Sequence, residues 1–204
     1  MITDRPAVRA ALESGSAVVL PNPAPLTCVV AATDPAAVNL AKSRPADQPV
    51  ATWTASPQRW ADVVPDLALP ARLVETAHHL LTRELVTLLV PVRPRPALAP
   101  STRDGYALLF GAHTMTELFE GLGPIYVSSA NRTGHAPAPT PEAAARMFPP
   151  TVPILGAEST PGDRRATTTL KLTPEGELTL TRTGAQDHAN GGPAAYLRLL
   201  TDRW

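Results

Sequence analysis

Short apolar runs alternate along the chain with segments of helical composition, and the breaks fall at proline, glycine and small polar residues. Arg5 to Glu13 reads as a helix, ended by Gly15-Ser16, and Ala17 to Leu20 follows as a short buried strand. In Pro21-Asn22-Pro23-Ala24-Pro25, three prolines in five residues fix φ and remove backbone donors, so this stretch is an irregular turn. Thr27 to Ala32 resumes as extended chain. Asp34-Pro35 is a helix start with a mechanism: Asp34 caps the orphan N–H groups, and Pro35 occupies the turn that needs no donor. That helix runs to about Lys42.

The alternation continues. Val50 to Thr54 is a strand, Ser56-Pro57 starts a short helix carrying Trp60, and Pro70 opens a longer helix to about Thr82. Val86 to Val90 is a buried strand, while Val92 to Pro100 is too proline-rich for a helix or a central strand. Gly105 to Phe110 is strand-like, Met115 to Glu120 is a short helix, and Ile125 to Ser129 is a strand running into a polar turn. Pro141 to Met147 is another proline-started helix. Thr167 to Leu172 and Leu178 to Arg182 alternate polar and apolar residues around Pro174-Glu175-Gly176, as a hairpin does. The pattern predicts one compact α/β unit, a mixed sheet with helices packed on it.

Composition narrows the function. The 18 Lys and Arg balance the 18 Asp and Glu, which argues against a protein devoted to a polyphosphate backbone and leaves room only for a local basic groove. Cys28 is the single cysteine, so no intrachain disulfide forms and a reducing compartment is expected. The N-terminus lacks the uninterrupted apolar stretch of a signal peptide, and no window has the apolar length of a membrane span. A cytoplasmic protein with no membrane partner is expected.

The chain has no phosphate loop ending in Lys-Ser/Thr, no Gly-x-Ser-x-Gly, no His-Glu-x-x-His and no paired cysteines. His78 and His79 are adjacent, and neighbouring positions on a helix point apart, so a shared metal is not expected there. Two clusters remain. Lys42-Ser43-Arg44-Pro45 closes a helix, where cations also suit the helix dipole without any ligand. Ser128-Ser129-Ala130-Asn131-Arg132-Thr133-Gly134 follows a strand directly. A plain turn would explain it, but polar groups just past a strand end are where open α/β sheets bind ligands.

Taken in order, Gly15 to Leu20 with Pro21, Lys42-Ser43-Arg44-Pro45 with Gln48-Pro49, and Ser129-Ala130-Asn131-Arg132-Thr133-Gly134 resemble the YrdC-like threonylcarbamoyl-AMP synthase family. Its hallmark is the K-x-R plus S-x-N pair. Thr167-Thr168-Thr169-Leu170-Lys171-Leu172 resembles the family's S-T-V-V-D-L-like strand, and Arg182-Thr183-Gly184-Ala185 its R-x-G-A ending. The resemblance implies a YrdC-like domain over residues 8–186 and a C-terminal helix or tail over 187–204. The implied fold is a twisted open mixed sheet flanked by helices, with a concave binding surface. It also implies ATP and Mg²⁺ as reactants, and a reaction of bicarbonate, an amino acid and ATP that yields a carbamoyl-adenylate and pyrophosphate. Charge building on phosphate oxygens then needs fixed cations. Lys42 and Arg44 take the catalytic role, and Lys42, Arg44, Ser129, Asn131, Thr168 and Arg182 bind nucleotide.

The first family motif, approximately P-T-D-T-x-Y-G-L, is here Pro21-Asn22-Pro23-Ala24-Pro25-Leu26-Thr27-Cys28. The hydroxyl, carboxylate and phenol groups of the amino-acid side are replaced, leaving Asn22 and Thr27 as substrate-binding candidates. The family's P-G-P-L-T segment is Thr82-Arg83-Glu84-Leu85-Val86-Thr87, and its R-x-P strand end is Leu109-Phe110-Gly111. Hydroxyl readout depends on paired polar groups, so the partner is read as an amino acid or other amine with L-threonine disfavoured, an ordinary threonine-using synthase being a further reading. The alternative is a non-catalytic module that binds nucleotide, double-stranded RNA or tRNA, with RNA held by a patch of Arg44, Arg132, Arg164, Arg165 and Arg182.

Overall fold

Four helices start with the same device. Asp4, Asp34, Ser56 and Thr140 each accept a backbone N–H through the side chain, from Ala7 at 3.1 Å, Ala36 at 2.9 Å, Arg59 at 3.3 Å and Ala143 at 3.2 Å. Each of these helices also has proline in its first turn. The computed structural model describes residues 1–111, 116–157 and 162–203.

In chain order the elements are β1 (Ile2–Thr3), α1 (Arg5–Glu13), β2 (Val18–Leu20), β3 (Val29–Ala32), α2 (Pro35–Ala41), β4 (Ala51–Trp53) and α3 (Pro57–Val63). Then come α4 (Ala71–Thr82), β5 (Thr87–Pro91), β6 (Thr102–Arg103), β7 (Tyr106–Phe110), α5 (Thr116–Phe119), β8 (Tyr126–Ser129) and α6 (Pro141–Met147). The last are β9 (Ile154–Leu155), β10 (Thr169–Leu172), β11 (Leu178–Arg182), α7 (Ala185–Ala189) and α8 (Pro193–Thr201). The fold is mixed α/β, with parallel and antiparallel ladders and helices packed on them, as the alternation predicts.

The chain divides into two compact units, each made of two segments, where the pattern alone suggests one. Unit 1 is Met1–Val50 with Thr114–Ala166. Its strands run in the order β1, β9, β2, β3, β8, parallel across the first two pairings and antiparallel across the last two. Helix α2 packs on β3 and β8, and α6 on β1, β2 and β9. Val19, Val30, Val38, Tyr126, Phe148 and Ile154 build its core.

Unit 2 is Ala51–His113 with Thr167–Trp204. Its order is β4, β7, β5, β10, β11, with parallel pairings of β4 to β7 and of β5 to β10. β6 pairs antiparallel with β7. Leu80, Leu88, Leu109 and Leu170 are buried in its core with Tyr196 and Leu200 of α8. The segment after residue 186 carries the helix α8, which supplies Tyr196 and Leu200 to the unit 2 core; Trp204 lies outside the described residues.

Other boundaries move for local reasons. The Thr27 and Cys28 N–H groups donate to the Arg165 and Ala138 carbonyls, both at 3.0 Å, so β3 begins only at Val29. The hairpin begins at Thr169 because the Thr168 N–H is taken by the Gln186 side chain at 2.7 Å. The short helix is Thr116–Phe119, and Met115 of the expected helix lies outside the described residues. β1, β6 and β9 have two residues each, too few to show any period.

Candidate functional site

Helix α2 ends with Lys42 as its C-cap residue, and Ser43 turns the chain at φ +54 into Arg44. Because α2 packs on β8, this helix end lies beside the turn that leaves β8. The Lys42 side chain enters that turn and is only 4% exposed. Its ammonium donates to the Ser129 carbonyl, to the Asn131 carbonyl at 3.0 Å and to Asn131 Oδ1 at 2.8 Å. Ser129 Oγ also donates to Asn131 Oδ1, at 2.7 Å. Asn131 Nδ2 donates to the carbonyls of Arg132 at 3.1 Å and His135 at 2.9 Å. From the other direction, the Thr133 N–H and hydroxyl both reach the Lys42 carbonyl at 3.1 Å. The two sequence clusters therefore form one hydrogen-bonded body.

Arg44 is oriented by Asn39, a residue the sequence reading did not single out. Asn39 is fully buried, and its Nδ2 donates to the carbonyls of Ala46 and Gln48, both at 2.8 Å. Those bonds fix Oδ1, which accepts from Arg44 Nε. Arg44 Nη2 is buried and has no hydrogen-bond partner among the described residues. Burial pulls the guanidinium pKa below its ordinary value. An Asn inside an otherwise apolar helical run, five residues before an Arg, is the signal that could have revealed this pair.

The loop over residues 21–28 is held from within unit 1. Asn22 Nδ2 donates to the Thr27 carbonyl at 2.8 Å, and both residues are buried. Arg164 Nη1 donates to the carbonyls of Asn22 at 2.9 Å and Leu26 at 3.0 Å, so a distant cation ties the loop's two ends. Asn22 and Thr27 are brought together here, by a bond that shapes the loop. Cys28 next to it is buried, which pushes its thiol up to about 11.

Thr168 and Arg182 belong to unit 2. Thr168 is fully buried; its hydroxyl donates to Asp187 Oδ1 at 2.6 Å and accepts from the Asp187 N–H at 3.1 Å. The same carboxylate accepts from the Gly184 N–H at 2.6 Å and so caps α7. Arg182 is exposed and donates to the Thr167 carbonyl at 3.1 Å. The Thr168 hydroxyl is thus engaged by the framework of the hairpin and α7.

Beside the Lys42 and Asn131 turns, unit 1 has a cleft of about 740 Å³ lined in part by Ala37, Leu40, Ser43, Arg132, Met147 and Phe148. That volume is in the range of small-molecule sites. Arg132 bonds to the Ser43 hydroxyl at 3.4 Å, and Arg165 is paired with Asp163 at 2.8 Å. In unit 2, His78 stacks on Trp60 at 5.0 Å between ring centroids. Among the described residues no group of three or more His, Cys, Asp or Glu is placed to hold a metal, and no helix is long and apolar enough to cross a membrane.

Fold and cluster define an α/β protein with its polar groups gathered just past a strand end. The family model Sua5_yciO_yrdC, described as "Telomere recombination", matches residues 10–184, and the chain belongs to that family. Among solved structures it is similar to P. abyssi Sua5 complexed with L-threonine, at 22% identity and a TM-score of 0.68, covering 88% of this chain and 54% of that one. It is also similar to full-length HypF in the phosphate- and nucleotide-bound form, at 14% identity and a TM-score of 0.67, covering 91% of this chain and 30% of that one. E. coli YciO gives 12% identity and a TM-score of 0.64, with 90% of both chains covered. The chain thus spans about half the length of the Sua5 protein it matches. No curated protein matches it in sequence.

Proposed function

We propose that this protein is a threonylcarbamoyl-AMP synthase-like nucleotidyltransferase that uses ATP and bicarbonate to convert an amine or amino acid other than L-threonine into a carbamoyl-adenylate. The observation that carries this reading is Arg44 Nη2, a buried guanidinium nitrogen with no hydrogen-bond partner among the described residues. A buried donor is normally satisfied, and an anion such as a phosphate oxygen would satisfy this one. Family membership and the nucleotide and L-threonine named for HypF and Sua5 support the same assignment.

The amine attacks bicarbonate and loses water to give a carbamate. A carbamate oxygen then attacks the α-phosphorus of ATP, the bond from that phosphorus to the bridging oxygen breaks, and pyrophosphate leaves. Mg²⁺ would accompany ATP as part of the substrate and would offset the phosphate charge. Arg44 offers a fixed cation at the developing negative charge. The loop held by Arg164 replaces the hydroxyls that would read threonine, so the acceptor is recognised by a differently built rim. RNA binding has less support, since Arg164 is engaged with its own loop and Arg165 with Asp163.

Pyrophosphate release is measured with ATP, Mg²⁺, bicarbonate and a panel of amines and amino acids. Release with at least one non-threonine amine is expected. No release with any member removes the enzyme reading, and a signal confined to L-threonine corrects the acceptor.

A further inference from the structure

The hallmark residues do not have equal capacity to meet a ligand. An ammonium has three N–H donors, and Lys42 has three acceptors in the turn: the Ser129 carbonyl, the Asn131 carbonyl and Asn131 Oδ1. A carboxamide has two donors and two lone pairs, and all four of these positions on Asn131 are filled. Oδ1 accepts from Lys42 Nζ and Ser129 Oγ, and Nδ2 donates to the carbonyls of Arg132 and His135. The partners also fix which way the amide faces, since the opposite orientation would set its NH₂ against the ammonium and its oxygen against two carbonyls. Ser129 Oγ spends its one proton on Asn131, leaving only lone pairs. Arg44 Nη2 is different, because its donors have no protein partner among the described residues.

We propose that Lys42 is a positioning residue: with Asn131 it locks the Ser129–His135 turn, while direct contact with the anion falls to Arg44 and Ser129 can only accept from a ligand N–H or O–H. The part played by Arg44 rests on the nucleotide reading above; the lock itself does not. The lysine charge therefore acts through the shape of the turn. Lys42 is buried and spanned by bonds from both directions, including two from Thr133 to its carbonyl. Loss of its side chain leaves two turn carbonyls and one amide oxygen short of a donor, which loosens the turn before any ligand arrives.

Two measurements on the full chain test this. The first is amide hydrogen exchange over residues 129–135 without ligand, comparing wild type with Lys42→Met. Exchange about tenfold faster is expected, the level at which local opening is readily seen, and unchanged exchange overturns the lock. The second is calorimetric affinity for ATP·Mg²⁺ against salt concentration. Lys42→Met should bind more weakly with the wild-type salt slope, whereas Arg44→Met should bind more weakly with a shallower slope, since only a charge that meets the phosphate contributes to it. A shallower slope in Lys42→Met means direct contact and overturns the proposal. If Lys42→Met does not fold, Lys42→Gln, which keeps N–H donors without the charge, is judged on the salt slope alone: the wild-type slope is expected, and a shallower one overturns the proposal. Wild type that binds no ATP·Mg²⁺ removes the nucleotide reading, and the exchange data then decide the lock alone.

Discussion

Lys42 Nζ and Asn131 Oδ1 meet at 2.8 Å across 89 residues of sequence. The bond joins the end of α2 to the turn after β8, and two bonds from Thr133 to the Lys42 carbonyl close the ring. A lysine at a helix end is ordinarily solvated, and a Ser-x-Asn turn is ordinarily mobile. Hydrogen bonds tie the buried lysine to a turn whose residues 132–135 are exposed, an anchoring that a site needs if it is to present Arg44 at a fixed place.

Asn39 is the support of Arg44, so Asn39→Ala should lower stability by about 2–4 kcal/mol, the cost of leaving several buried polar groups unpaired. ATP affinity should fall as well, although Asn39 is fully buried. Urea denaturation and calorimetry check the two effects separately. Wild-type affinity in the variant would mean that Arg44 holds its position without Asn39.

In unit 2 the Thr168 hydroxyl and the Gly184 N–H share one carboxylate oxygen of Asp187. Asp187→Ala should cost about 2–4 kcal/mol, and Thr168→Val less. The double variant should lose less than the sum of the two single losses, because the hydroxyl–carboxylate bond is removed by either change, while the bond from the residue-187 N–H is lost only with the Thr168 hydroxyl. Additive losses in urea melts would show that the residues act independently.

Gly111 is required by close packing rather than by backbone freedom. A Cβ there would lie 2.0 Å from the Leu81 carbonyl oxygen, a backbone atom that cannot swing aside. Gly111→Ala should therefore destabilise by more than about 3 kcal/mol, in the range of severe overpacking. A denaturation midpoint within error of wild type would contradict this contact.

Burial raises the Cys28 thiol from its ordinary 9.0 to about 11. The thiol stays protonated in the folded protein at pH 8, so a disulfide reagent should label it slowly until urea unfolds the chain. The linkage has a definite sign. Between pH 9 and pH 11 the unfolded thiol gives up its proton while the folded one keeps it, so this group's contribution to stability falls as pH rises. Below that window it is fully present. Cys28→Ala should show a flatter alkaline decline than wild type, and identical declines would refute the shift.

Capped, proline-started helices were legible in the chain, because Asp34-Pro35 and Ser56-Pro57 carry both the cap and the fixed φ within adjacent residues and Pro141 carries the fixed φ. Long strands such as β5 and β7 were legible from their apolar runs. β1, β6 and β9 were not, since two residues display no period; the partners of β1 and β9 also lie far away in sequence, whereas β6 pairs with the neighbouring β7.

The site divides along the same line. Sequence by itself picked out Lys42, Ser129 and Asn131, which the structure brings into one hydrogen-bonded cluster, because residue identity and spacing survive in a linear pattern. Only the tertiary structure decided what each one does. Hydrogen-bond capacity is filled by whatever the fold brings within about 3 Å, and no local pattern could say that Asn39 would hold Arg44, that Thr168 would turn inward to Asp187, or that the Lys42 ammonium would find its acceptors inside the protein.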